Sequence, residues 1–289
     1  MDFLRLENTT FYREQQLNVG GKLFTIDKPQ VMGIVNCTPD SFYKSSQVAD
    51  FESQKLLIDK HIQDGALWID LGAQSTRPNA TYLSANDELE RLMPALQYVL
   101  EKYPSVFVSI DTFQAQVADV CLQTGAQMIN DISGGRMQPE IMDVVASYRV
   151  PYVLMHTRGT PETMQQMTSY ENIVKEVIYE LSEQVERAKN KGIYDIVIDP
   201  GFGFFAKTRD QNFELLKFLD LFHVFERSIL VGISRKSIIY KTLGVEPENA
   251  LNGTTVLNTV ALQKGAHFLR VHDVKEAVET CLLVQNLQC

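Results

Sequence analysis

Asp199 closes the apolar run Ile196-Val-Ile, and a loop of Pro200-Gly-Phe-Gly-Phe follows it, ending at Phe204. A carboxylate at a strand end, beside aromatic residues on a glycine-rich loop, suits a flat, hydrogen-bonding heterocycle. The carboxylate accepts two N–H bonds from an amidine-like edge, and the rings of Phe202 and Phe204 supply apolar walls. An Asp capping an ordinary turn would look the same in isolation. The pattern of apolar run, polar residue, then loop recurs along the chain, however. It delivers Asn36, Asp70, Asp111, Asn130 with Asp131, His156, Asp199, then Ser234-Arg-Lys, and finally Arg270, His272 and Asp273. A single such residue is often a helix cap. Eight of them argue for a shared site.

The apolar runs that position these groups are Val31–Val35, Leu67–Leu71, Val106–Ile110, Met128–Ile132, Tyr152–Met155, Ile196–Ile198, Ile229–Val231 and Phe268–Val271. Between them lie amphipathic helical patterns over 51–64, 86–102, 114–124, 138–148, 170–191, 210–224, 252–264 and 273–286. Gly65, Gly125, Gly192 and Gly265 mark helix stops. Eight alternations with continuously apolar strands predict an α/β fold, a closed (β/α)8 TIM barrel over 31–289. A doubly wound open sheet is the alternative. Residues 1–30 stand apart as a short extension. In it, Gly20-Gly21 before Lys22-Leu-Phe-Thr-Ile predicts a small hairpin or a cover for the barrel bottom. In such barrels the catalytic groups gather at the carboxyl ends of the strands.

Composition narrows the function. The 289 residues carry a formal charge of -9, which argues against a nucleic-acid footprint. No apolar stretch is long enough to span a membrane, and the first residues lack a secretion signal. Cys37, Cys121, Cys281 and Cys289 show neither disulfide nor zinc spacing, so a reducing cytoplasm is expected, with Cys37 and Cys121 as small core hydrophobes. Gly201-x-Gly203-x-x-Ala206 imitates a dinucleotide motif. It follows the sixth strand, and Lys207-Thr-Arg-Asp separates it from the next helix, so nicotinamide binding is set aside.

Two loops, Asn36-Cys-Thr-Pro-Asp-Ser-Phe-Tyr and Gln74-Ser-Thr-Arg-Pro-Asn, suit closure over a substrate. The amide oxygen of Asn36 suits a hard cation such as Mg2+, and Thr76 suits phosphate oxygens. Ser234-Arg-Lys-Ser and Arg270-Val-His would gather two arginines, a lysine and a histidine around an anion, as phosphate sites in these barrels often do.

These segments resemble the dihydropteroate synthase family in order along the chain. They are Met32-Gly-Ile-Val-Asn-Cys-Thr-Pro-Asp-Ser-Phe, Ser75-Thr-Arg-Pro, Ser109-Ile-Asp-Thr, Ile129-Asn-Asp-Ile-Ser-Gly, Met155-His-Thr-Arg-Gly-Thr-Pro, Ile198-Asp-Pro-Gly-Phe-Gly-Phe, Val231-Gly-Ile-Ser-Arg-Lys-Ser and Leu269-Arg-Val-His-Asp-Val. The resemblance implies a (β/α)8 barrel, usually a homodimer. Such enzymes use Mg2+ to join p-aminobenzoate to 6-hydroxymethyl-7,8-dihydropterin diphosphate, and sulfonamides occupy the p-aminobenzoate site. It further implies that Asn36 meets Mg2+ and the diphosphate, which Thr76, Arg270 and His272 also hold. Asp111, Asn130, Asp199, Lys236 and Arg270 would meet the pterin. Phe42, Arg77, Pro78, Phe204, Lys236 and Ser237 would meet p-aminobenzoate, with a short helix expected to start near Ser237. Catalysis would fall to Asn36, Thr76, Arg270, His272 and Lys236.

The chain departs from the family pattern at Tyr43-Lys-Ser-Ser, at Gly72-Ala-Gln, at Pro78-Asn79 and at Phe205-Ala-Lys. Two other functions share the pterin slot, a pterin-dependent methyltransferase and a non-catalytic pterin-binding paralogue. A methyltransferase has no use for a diphosphate cluster.

Overall fold

The computed structural model describes residues 13–37, 44–74, 82–160, 163–203 and 206–288, with the side chains of 44–50, 165 and 288 left aside. Eight parallel strands close into a barrel: β3 (Gln30–Asn36), β4 (Trp68–Gly72), β5 (Phe107–Asp111), β6 (Met128–Asp131), β7 (Tyr152–Met155), β8 (Ile196–Asp199), β9 (Ser228–Val231) and β10 (Phe268–Val271). They follow one another around the ring in chain order, and β10 pairs with β3 to complete it. Closure removes every edge and satisfies the backbone of strands too apolar to face water. The open-sheet alternative is thereby excluded.

Helices cover the outside. Where they start is written in their caps. Ser84 accepts from the amide of Asp87 at the start of α2 (Ala85–Lys102), and Asn172 accepts from Lys175 at the start of α5 (Ile173–Asn190). Thr208 and Gln211 form a reciprocal capping box on α6 (Arg209–Lys217). Gly65, Gly125, Gly192 and Gly265 all adopt positive φ just past helix ends. The remaining helices are α1 (Lys44–Gln63), α3 (Ala115–Thr124), α4 (Ile141–Tyr148), α7 (Ser237–Leu243), α8 (Leu251–Gln263) and α9 (Val274–Gln288).

Two helices differ from expectation. α1 starts at Lys44 rather than 51, because its first turns, including Ser45, Ser46 and Gln47, carry little apolar periodicity. The segment read as one helix over 210–224 divides into α6 and a 3-10 turn at Leu219–Phe225. Leu219 and Phe222 are both buried there, and their spacing of three matches the tighter helix. The short helix expected near Ser237 is α7.

Strand alternation sorts the barrel residues into two cores. Val31, Val35, Ile69, Leu71, Val108, Ile110, Ile129, Ile196 and Ile198 face the helices. Met32, Trp68, Met128, Val153, Val197, Leu230 and Phe268 form an apolar lumen floor, joined by Leu17, Val19 and Ile26 from an antiparallel hairpin, β1 (Gln15–Val19) and β2 (Lys22–Ile26). Phe24 of that hairpin meets Trp68 and Phe107 edge to face, with ring centroids 5.9 and 5.2 Å apart. The hairpin therefore plugs the amino-terminal end of the barrel. The opposite end remains for polar groups.

Candidate functional site

One step above the apolar floor, the inward positions change character. On β4 the sequence runs Trp68 in, Ile69 out, Asp70 in. On β10 it runs Phe268 in, Leu269 out, Arg270 in. The same alternation brings in Asn130 on β6 and Asp199 on β8, with Asn36, Asp111 and His272 at the rim.

Arg270 is the hub. Its Nε donates to Asp70 Oδ2 at 2.6 Å, and a terminal nitrogen donates to Asp111 Oδ2 at 2.6 Å. Asn130 Nδ2 donates to the same Asp70 oxygen at 3.1 Å. Burial lifts the Asp111 carboxyl to about 7, a rise that Asp70 and Glu88 reinforce and Arg270 opposes. The guanidinium itself is held protonated by its two carboxylates despite burial.

Asp199 and Lys236 make the other wall. Asp199 Oδ1 accepts from the amide of Gly201 at 2.7 Å. Burial raises its carboxyl above the ordinary range, while Lys236 and the Gly201 amide pull it back. Lys236 donates from Nζ to the Phe202 carbonyl at 2.7 Å, and burial lowers its ammonium to about 8 against the pull of Asp199. The turn that allows this is obligatory. Gly201 has φ of +75°, and a Cβ there would lie 2.0 Å from the His156 carbonyl oxygen. Gly232 lies between Lys236 and Arg270, and a Cβ added there would only reach ordinary contact, 3.7 Å from Lys236 Nζ and 3.9 Å from Arg270. The slot so formed offers carboxylate acceptors, a lysine, an amide and a flat guanidinium above an apolar floor.

Ser234 Oγ and His272 Nδ1 lie 3.0 Å apart, so the rim histidine is tied to the loop after β9. His272 keeps an exposed edge, yet desolvation of its ring and repulsion from Arg270 push it down to about 4. At neutral pH it is a hydrogen-bonding imidazole rather than a second fixed cation. Ser237 is the first residue of α7, half-buried, and Lys236 is its cap residue. Asn36 is exposed at the carboxyl end of β3. Thr76, Arg77, Pro78, Phe42 and Phe204 lie outside the described residues.

Several expected contributors point elsewhere. Asp131 faces outward, accepting from the Ser133 and Gly135 amides and the Tyr152 hydroxyl. His156 sits between Glu180 at 3.1 Å and Lys207 at 2.9 Å, and burial holds it neutral. Arg235 is not part of an anion cluster. It is clamped by both oxygens of Asp273 and by the carbonyls of Pro247 and Glu248. The Phe202 ring is fully buried in the outer core, so only its carbonyl serves the slot. The expected gathering of two arginines, a lysine and a histidine therefore reduces to Arg270, Lys236 and a neutral imidazole. One residue gained importance. Asp70 was legible only as the polar residue of the second strand, yet it bonds both Arg270 and Asn130.

Among the described residues no group of three His, Cys, Asp or Glu side chains could hold a metal by itself. The exposed amide oxygen of Asn36 can serve as one ligand to a hard cation that keeps its waters and shares phosphate oxygens.

Residues 32–272 match the model of the pterin binding enzyme family. A dihydropteroate synthase of Synechocystis (strain PCC 6803) is 41% identical over 98% of this chain and 99% of its own length. The structure of Xanthomonas albilineans dihydropteroate synthase with 4-aminobenzoic acid superposes with a TM-score of 0.87 and 36% identity, over 96% of this chain and 99% of that one. A second structure of the same bacterium's enzyme, in complex with 7,8-dihydropteroate, has a TM-score of 0.83 and 32% identity, over 95% and 98%.

Proposed function

Since the chain belongs to the dihydropteroate synthase family, we propose that its slot holds 6-hydroxymethyl-7,8-dihydropterin diphosphate and joins it to p-aminobenzoate. The products are 7,8-dihydropteroate and diphosphate. The observation that carries this reading is the convergence of Asp199, Lys236, Asn130, Asp111 and Arg270 on one slot at the barrel mouth. Asp199 has one oxygen committed to Gly201, and its other oxygen accepts from the amino-pyrimidine edge. The Lys236 ammonium donates to the pterin carbonyl side. Asn130 and Asp111 meet the remaining ring nitrogens, and the Arg270 guanidinium lies along the ring.

In the reaction the bond between the methylene carbon and the diphosphate oxygen breaks. The amine nitrogen of p-aminobenzoate bonds to that carbon, then loses a proton to solvent. Charge builds on the departing diphosphate, and Arg270 with the His272 imidazole stabilises it at the rim. Asn36 would hold Mg2+, which when bound would supply Lewis-acid charge neutralisation there. Thr76 completes the diphosphate contacts. Phe42, Arg77, Pro78, Phe204, Lys236 and Ser237 receive p-aminobenzoate.

The working form is a homodimer. Leu283 and Leu287, about one turn apart on α9, are 69% and 74% exposed, and such an apolar stripe on an outer helix supports a contact with a second copy. Sedimentation should give twice the 32.8 kDa chain mass, and a monomer at micromolar concentration would remove this part. Cys37, Cys121 and Cys281 are buried, unpaired thiols, which suits a reducing cytoplasm. No helix among the described residues is long and apolar enough to cross a membrane.

Diphosphate release is the decisive assay. It should require the pterin diphosphate, p-aminobenzoate and Mg2+ together, and match dihydropteroate formed one for one. Release without p-aminobenzoate, or pterin binding with no release, would overturn the synthase reading.

A further inference from the structure

Asp70 is fully buried, and its strand neighbours Ile69 and Leu71 face the outer core. Its Oδ2 receives Arg270 Nε at 2.6 Å and Asn130 Nδ2 at 3.1 Å. Those partners stand on β10 and β6, two strands away on either side of β4. A single oxygen therefore couples side chains from opposite sides of β4.

Each bond fixes an orientation. Arg270 is held at Nε by Asp70 and at a terminal nitrogen by Asp111, so its plane is set and its face is left for a flat ring. The Asn130 amide can point either way in principle. Beside a carboxylate only its nitrogen can face Asp70, so its carbonyl is turned to the other side.

Stability alone is a poor reason for the arrangement. Two carboxylates buried around one guanidinium are commonly no better than well-packed apolar residues. The purely structural carboxylate of this barrel is also built differently. Asp131 has partners on both oxygens, whereas Asp70 Oδ1 is buried with no hydrogen-bond partner among the described residues.

We propose that Asp70 is a positioning residue for the condensation, holding the Arg270 guanidinium and the Asn130 amide in the orientations in which they meet the pterin. It acts through those two side chains and makes no substrate contact itself. The inference rests on the synthase reading of the slot.

The test is a cycle read by single-turnover diphosphate release. Asp70→Asn keeps the shape but removes the charge and allows the Asn130 amide to flip. In the otherwise unaltered chain it should lower kcat/KM for the pterin diphosphate about 30-fold, the scale of a lost hydrogen bond to a charged group. In an Asn130→Ala/Arg270→Gln background the same change should cost less than about threefold, because the groups it serves are gone. Equal losses in both backgrounds would mark Asp70 as merely structural and overturn the proposal, as would a loss below twofold in the unaltered chain. If Asp70→Asn does not fold, NMR of the unaltered chain decides. The Arg270 Nε–H signal, identified by its absence in Arg270→Lys, should stay protected from water when 6-hydroxymethylpterin binds. Rapid exchange in the complex would show that the guanidinium leaves Asp70, and would refute the proposal. An unaltered chain that binds pterin without turning over would instead refute the synthase reading, and this inference with it.

Discussion

Asp199→Asn is the sharpest perturbation of the slot, because the surrounding structure dictates which atom the ligand meets. Asp199 Oδ1 is committed to the Gly201 amide at 2.7 Å. An asparagine there keeps its carbonyl oxygen on that N–H, since turning the amide would set two donors against each other. Its nitrogen must then occupy the second oxygen's place, facing the slot. A ligand edge that offers donors now meets a donor. The loss is at least one hydrogen bond to a charged group, about 1.5–3 kcal/mol, and the ligand's own buried N–H is left unpaired. That corresponds to pterin affinity about 10- to 150-fold weaker. The fold should survive with a modest loss, since the buried Lys236 and Lys207 ammoniums lose an attracting charge. The carboxylate already pays for burial, which raises its protonation range, and the Gly201 hydrogen bond survives. Titration calorimetry with 6-hydroxymethylpterin measures the first effect and thermal unfolding the second. Affinity within twofold of the parent, with an unchanged melting temperature, would remove Asp199 from the pterin edge.

Three further outcomes follow from the same geometry. Arg270→Ala leaves Asp70 and Asp111 without their shared counter-ion; breaking a buried pair in this way costs about 3–5 kcal/mol, so the urea midpoint should fall, and an unchanged midpoint would show that the bridges are not formed in solution. Lys236 is charged below about 8 and neutral above it, so kcat/KM for the pterin diphosphate should decline as pH rises through that value; a flat profile to about pH 9.5, roughly one and a half units beyond the titration, would dismiss its ammonium as a donor. Gly201→Ala must accommodate both a φ of +75° and a Cβ lying 2.0 Å from the His156 carbonyl; unfolding free energy should drop by more than about 3 kcal/mol, and a loss under 1 kcal/mol, roughly the cost of an ordinary surface change, would mean that the turn relaxes freely.

Much of the molecule was legible as sequence. Eight apolar runs alternating with amphipathic helices announced a barrel, because the periodicity that makes each element is local. The glycines at 65, 125, 192 and 265 marked helix stops for the same reason, and each adopts positive φ there. The polar residue after each run placed Asp111, Asn130, Asp199, Lys236 and Arg270 at one end of the molecule, and they lie there.

What local pattern could not decide was direction and partnership. Barrel strands buried on both faces are apolar throughout, so they carry no in-and-out signal. Asn130 and Asp131 were therefore indistinguishable until the register turned one into the lumen and the other toward Tyr152. Likewise Arg235 and Arg270 read as equivalent cations. The fold bound the first to Asp273 and set the second between Asp70, 200 residues earlier in the chain, and Asp111. Ring closure chooses such pairs, since it brings β10 beside β3 and so within reach of β4, a proximity that no spacing along the chain encodes.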